Sequence, residues 1–183
     1  MRLHATPLAG LFVASHTPLQ DNRGSFSRLF CADQLQPAIG SRHIMQINHS
    51  FTHTAGAIRG LHYQNPPHAE MKLVRCLQGR VFDVAVDIRT NSPTFLQWYG
   101  EELSPTNGRM MIIPEGFAHG FQTLEADSAL LYLHTTFYTP TAEAGIAYNE
   151  PRISIRWPLP TTDLSARDRQ HSALSDSFTG ITP

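Results

Sequence analysis

Short runs of alternating or continuously apolar residues, each closed by glycine, proline or asparagine, recur along this chain, and that rhythm limits its fold more than any other feature. Residues 73–77 and 80–88 flank Gln78-Gly79 and read as two strands around a glycine turn, with Phe82, Val84, Val86 and Ile88 on one face. Further strands are expected at 97–101, 110–113, 120–124, 129–134 and 153–155, punctuated by turns at Asn91-Ser92-Pro93, Ser104 to Gly108 and Pro114-Glu115-Gly116. Nearer the start, an extended piece around 11–14 precedes a turn at Asp21 to Gly24. A strand over 25–30 follows, with Phe26 and Arg28 on one face, then a short helix over 32–35 that Pro37 should stop. Residues 44–50 alternate so that Gln46, Asn48 and Ser50 project together, either into solvent or as the polar wall of a pocket. Many short strands with almost no helical periodicity define an all-β sandwich or barrel. The last twenty residues read as a surface tail with one helical turn near Ser165 to Asp168.

With 183 residues and no linker or repeat, residues 1–183 are expected to form a single domain, its core spanning about 10–158. The 14 basic residues are balanced by 15 acidic ones, so no overall positive field draws the chain to nucleic acid or to an anionic membrane. Nowhere do about 18 apolar residues run together, and the opening residues lack the apolar core of a signal peptide. Cys31 and Cys76 stand far apart in no metal-type spacing, and Cys76 lies in an apolar run. These features suit a reducing, cytoplasmic setting.

The chemistry concentrates in Ile58 to Lys72. Arg59, His62 and Lys72 fall within fourteen positions, on or beside extended chain. They can face one cavity as an anion clamp, a proton-transfer group and an oxyanion stabiliser. A neutral imidazole, with an ordinary pKa of about 6.5, accepts protons near neutral pH but needs a partner to orient it. Read singly, each of these side chains is as readily a solvated surface charge or a rim residue.

Gly56-x5-His62 and Pro114-x-Gly116-x-x-His119 together resemble the two motifs of the cupin superfamily, which implies a jelly-roll barrel with short peripheral helices. Metal-binding cupins carry His-x-His and a later glutamate in the first motif. Gln64 stands where the second histidine would be and Glu70 falls late, so no metal is expected. A longer ordered series then appears: Asp21-x-Arg23-Gly24-x-Phe26, Gln46-x-Asn48-x-Ser50, Arg59 to Gln64, Lys72-Leu73-Val74-Arg75, Gly79 to Arg89, Ser92-Pro93-Thr94-Phe95, Pro114 to Phe121 and Tyr132-x5-Tyr138-x-Pro140. From Asp21 to Asp168 the chain resembles the dTDP-4-dehydrorhamnose 3,5-epimerase family, metal-free cupins that invert carbons of nucleotide-linked 4-keto-6-deoxyhexoses.

That resemblance implies His62 as the base, Asp168, from the segment 159–183, as its orienting carboxylate, Lys72 beside the enolate oxygen, and Tyr132 as the acid on the opposite face. Ser165-x-x-Asp168 is equally a helix-capping box. It implies nucleotide-sugar contacts from Arg23, Phe26, Arg28, Gln46, Asn48, Arg59, His119, Tyr138, Glu143 and Arg167, the last replacing a usual lysine. At position 28 the family usually has glutamate. An arginine only donates and opposes the thymine N3–H, so either base preference moves toward cytosine or Arg28 turns outward, the reading we favour, leaving the base to Gln46 and Tyr138. The resemblance further implies a homodimer with exchanged N-terminal strands and no cofactor. The competing expectations are an epimerase acting at carbon 3 or carbon 5 alone, a metal-dependent cupin and a non-catalytic sugar-binding jelly roll.

Overall fold

The computed structural model describes residues 1–183 and builds two facing antiparallel sheets, a jelly-roll sandwich. Its strands are β1 (Arg2–Ala5), β2 (Phe12–Ser15), β3 (Leu19–Asp21), β4 (Gly24–Phe26), β5 (Gln46–Thr52), β6 (Ile58–Gln64), β7 (Lys72–Gln78), β8 (Val81–Asp87), β9 (Trp98–Leu103), β10 (Arg109–Ile113), β11 (Phe117–Thr123), β12 (Ser128–His134) and β13 (Glu143–Gly145), with helices α1 (Ala32–Ile39) and α2 (Ala166–Arg169). One sheet has the order β1-β2-β10-β7-β12-β5, the other β13-β6-β11-β8-β9, and β3-β4 forms a separate hairpin. No helix is long and apolar enough to cross a membrane.

Alternation explains where the core sits. Val74 and Cys76 of β7, Met111 and Ile113 of β10, and Leu130 of β12 point inward from the first sheet to meet Val81, Ala85, Phe117 and Phe121 of the second. The outward residues are buried too. Leu73, Met110, Ile112 and Leu133 lie under Leu35 and Ile39 of α1. Val84, Val86, Ile88 and Ala118 lie under Ile146, Ile153, Trp157, Leu174, Phe178 and Ile181.

Several expectations need correction. The strands around Gly79 form no hairpin: β7 pairs with β10 and β12, while β8 pairs with β9 and β11, so the chain passes from one sheet to the other there. Gly79 has φ +72°, and a Cβ would strike Ser128 across the turn. The strand expected at 25–30 ends at Phe26, and Arg28 lies on exposed irregular chain beyond it. Helix α1 runs through Pro37 to Ile39 because burying Leu35 and Ile39 outweighs one lost backbone bond in so short a helix. Residues 153–155 form no strand: Ile153 closes a turn over 151–153, and Ser154 and Ile155 are irregular. The Glu150 carboxylate organises the turn, accepting from the N–H groups of Arg152 at 2.9 Å and Leu174 at 2.6 Å. The final residues are no loose tail, since Leu174, Phe178 and Ile181 cover the outer face of the second sheet and Ile181 bridges to Arg89.

Candidate active site

One end of the sandwich interior is polar and opens into a cavity of about 470 Å³. Residues from both sheets and from the C-terminal segment line it, including His62, Lys72, His119, Tyr132, Arg59 and Asp168. His62 and Arg59 are three positions apart and would project to opposite faces of a regular strand. Both reach the cavity because pairing slips: His119 faces His62 and Phe121 faces Arg59, leaving Gly60 and Leu61 of β6 opposite Gly120 alone. Only glycine fits at position 60, where φ is +127° and a Cβ would lie 2.5 Å from the Gly120 Cα.

The imidazole of His62 is held by Asp168, with Nε2 2.7 Å from Oδ1. The Gly60 N–H donates to the second oxygen at 3.3 Å, and Ser165 caps α2 by accepting from the Asp168 N–H at 3.0 Å. Ser165 thus supplies the helix cap, while the Asp168 carboxylate is directed to His62 and Gly60. Burial pushes the Asp168 pKa up, but His62, Gly60 and Ser165 outweigh it and hold the carboxyl below its ordinary value. Two more groups reach this dyad. The Arg167 guanidinium lies 3.3 Å from His62 Nε2 and forks onto Glu143, which also accepts from the Tyr138 hydroxyl at 2.8 Å. His171 packs edge-on to His62 at 5.5 Å and brings Nε2 to 3.6 Å of Asp168 Oδ1.

Tyr132 comes from β12, in the sheet facing His62, and its hydroxyl meets Ser50 Oγ at 3.0 Å. Burial raises its pKa strongly, so the phenol keeps its proton. The row on β5 is thus a pocket wall, with Asn48 and Ser50 lining the cavity, while Gln46 accepts from the Tyr138 N–H at 2.9 Å at its margin. Lys72 is buried and its Nζ stands 3.2 Å from Glu70 Oε1.

Arg23, Phe26 and Arg28 do not line this cavity. Arg23 is occupied by Asp21 on the exposed β3-β4 hairpin, and Phe26 and Arg28 edge a separate hollow with Met1, His16 and Gln34. The remaining residues expected at the site do gather there, apart from Gln46 at its margin. Four contributors lay outside the sequence-based expectations: Asp83, Glu70, His134 and His171. Asp83 bonds His119 Nε2 at 2.8 Å, Glu70 bonds His134 Nδ1 at 2.7 Å, and His171 flanks Asp168. The position of His134, two residues beyond Tyr132 on an alternating strand, was the available signal for it, as was Asp83 amid the apolar residues of β8.

His62, Asp168 and His171 bring three metal-type donor atoms within 4.8 Å, yet the Arg167 guanidinium lies against two of those groups and a cation there would meet its charge. Gln64, at the position of the missing ligand, is spent on the backbone, its amide donating to His68 O at 3.1 Å and its oxygen accepting from the Thr139 N–H at 2.7 Å.

A jelly-roll sandwich whose polar end holds a carboxylate-oriented histidine opposite a partly buried tyrosine and a buried lysine has the makings of a proton-transfer enzyme of the cupin kind. The model of the dTDP-4-dehydrorhamnose 3,5-epimerase family matches residues 5–176, and the chain belongs to that family. The dTDP-4-dehydrorhamnose 3,5-epimerase of Pseudomonas aeruginosa is 46% identical over 86% of this chain and 87% of its own. The dTDP-4-dehydrorhamnose 3-epimerase of Streptomyces niveus is 34% identical over 97% of this chain and 86% of its own. The structure of a dTDP-6-deoxy-D-glucose-3,5-epimerase from Legionella pneumophila, in complex with dTDP-4-keto-L-rhamnose, superposes with a TM-score of 0.92 at 38% identity, covering 100% of this chain and 98% of that one.

Proposed function

We propose that this enzyme inverts carbons 3 and 5 of a dTDP-linked 4-keto-6-deoxyhexose, converting dTDP-4-dehydro-6-deoxy-D-glucose to dTDP-4-dehydro-L-rhamnose. The observation that carries this is His62, on its carboxylate, facing Tyr132 from opposite walls of one cavity. The 4-keto group acidifies the protons on both neighbouring carbons. His62 takes one of them, the electron pair moves onto the ketone oxygen, and the Lys72 ammonium stabilises the enolate. Tyr132 then protonates the carbon from the other face, which inverts it, and imidazolium and phenolate return to their starting states by exchange with water. The same four groups serve the second carbon.

Gln46, Asn48, Arg59, His119, Tyr138, Glu143 and Arg167 are proposed to hold the nucleotide sugar, the arginines at its phosphates. Arg23 and Phe26 are assigned to the cavity of a second copy in a homodimer. The support is that the hairpin bearing them stands apart from its own cavity and exposes Leu19 and Phe26, 72% and 66% accessible. Arg28, exposed beyond that hairpin, is read as turned away from the base. The cytoplasm is the proposed compartment, consistent with the free thiols of Cys31 and Cys76.

Mass spectrometry of dTDP-4-dehydro-6-deoxy-D-glucose incubated with the protein in D2O tests the reading. Uptake of two deuterons, lost in His62→Ala, is expected. One deuteron would make it a single-site epimerase, and none would overturn the assignment. Faster turnover of the CDP sugar than of the dTDP sugar would overturn the outward placement of Arg28.

A further inference from the structure

Resting on the reaction just described, we propose that Glu70, fixed by His134, is a positioning residue for Lys72. Its carboxylate spans two partners, with Oε1 3.2 Å from Lys72 Nζ and Oε2 2.7 Å from His134 Nδ1. All three side chains are almost fully enclosed, Glu70 at 8% accessible and the others at 11%. Such a pair gains little stability after desolvation, so its value lies in direction. On its far side, His134 Nε2 lies 3.4 Å from Asn48 Nδ2, an amide nitrogen, which can only donate. Nε2 is therefore the unprotonated nitrogen, and Nδ1 donates its proton to Glu70. The arrangement ties β5, β12 and the start of β7 together around one carboxylate.

The groups facing Lys72 show why it needs this anchor. Across the cavity, β8 carries Asp83, fully buried, bonded to His119 through Oδ1 and left with a buried Oδ2 that has no partner. The Lys72 charge reaches Asp83. An ammonium on a flexible four-carbon arm is drawn toward that second carboxylate, away from the ketone oxygen. His62, His119, Tyr132, Glu143 and Asp168 are further titratable groups on the cavity wall, and Arg59 and Arg167 carry like charge there. Glu70 is the near anion. It holds the arm on the Tyr132 side and leaves the remaining ammonium hydrogens for substrate. Burial pushes the Glu70 pKa up, but the bond from His134 and the charge of Lys72 bring it below its ordinary value, so the anchor stays ionised.

A double-mutant cycle on the full-length protein tests this, with Glu70→Gln, Lys72→Met and the pair assayed for kcat and KM on dTDP-4-dehydro-6-deoxy-D-glucose. Glu70→Gln should lower kcat by about 10- to 100-fold with KM changed less than about threefold, and should cost less than about twofold once Lys72 is already Met. An equal loss in both backgrounds, or an unchanged kcat in the presence of Lys72, overturns the proposal. If Glu70→Gln does not fold, Glu70→Asp replaces it, keeping the charge on an arm too short to span both partners. An inactive wild-type enzyme would refute the epimerase reading, whereas an active one indifferent to Glu70 refutes this inference alone.

Discussion

At the scale of single residues, the site is three histidines, each bound to its own carboxylate: His62 to Asp168, His119 to Asp83 and His134 to Glu70. All three histidines line the cavity, and the first is the most open to it, with His62 21% accessible against 7% for His119 and 11% for His134. His62→Ala should lower kcat by about 10²- to 10⁴-fold, the usual worth of a well-placed proton-transfer group. Tyr132→Phe should behave differently, since the base can still remove a proton and return a deuteron from the same side. In D2O, exchange should persist while inversion stops, seen by comparing deuterium content with product stereochemistry. Acid stability follows from the same carboxyls. Asp168 and Glu70 both sit below their ordinary pKa, so each stabilises the fold above its unfolded value of about 4 and loses that contribution as pH falls through the folded one. Asp83, raised by burial, has the opposite sign. Thermal melts should show a falling transition below about pH 4, shallower in Asp168→Asn. His62, Lys72 and Tyr132 were legible in the sequence through their chemistry and family pattern. In the sequence Glu70 reads only as a late-placed metal ligand, and the partner that redirects it, His134, is 64 positions away.

At the scale of elements, the decisive feature is the slipped register of β6 against β11, which turns Arg59 and His62 to the same side. Gly60→Ala would force a Cβ into the Gly120 backbone and disturb the N–H that binds Asp168. The expected loss is about 1–3 kcal/mol of stability, read from denaturant midpoints, with a larger fall in activity than in folding. Strand positions were legible because alternation and turn residues are local signals. Pairing was not, since β7 and β8 look like a hairpin in sequence and part into different sheets. The passage of α1 through Pro37, the turn at Ile153 and the docked end of the chain escaped for one reason. Each depends on distant parts of the chain, apolar strand surface for all three and the Glu150–Leu174 bond for the turn as well.

At the scale of the whole molecule, the sandwich divides its interior into an apolar half that holds the sheets together and a polar half that reacts. The β3-β4 hairpin belongs to neither, and its exposed side chains suit a partner. Light scattering should give twice the 20.4 kDa chain mass. Mixing inactive His62→Ala chains with inactive Arg23→Ala chains should restore part of the activity, because each variant brings the half that the other lacks. The C-terminal segment crosses the back of the second sheet and delivers Asp168 to a histidine 106 positions earlier. During synthesis, then, a chain can lay down both sheets and still hold an unoriented base. The His62–Asp168 contact closes only when the segment bearing Asp168 has emerged from the ribosome and docked, so the proposed proton abstraction waits for that segment.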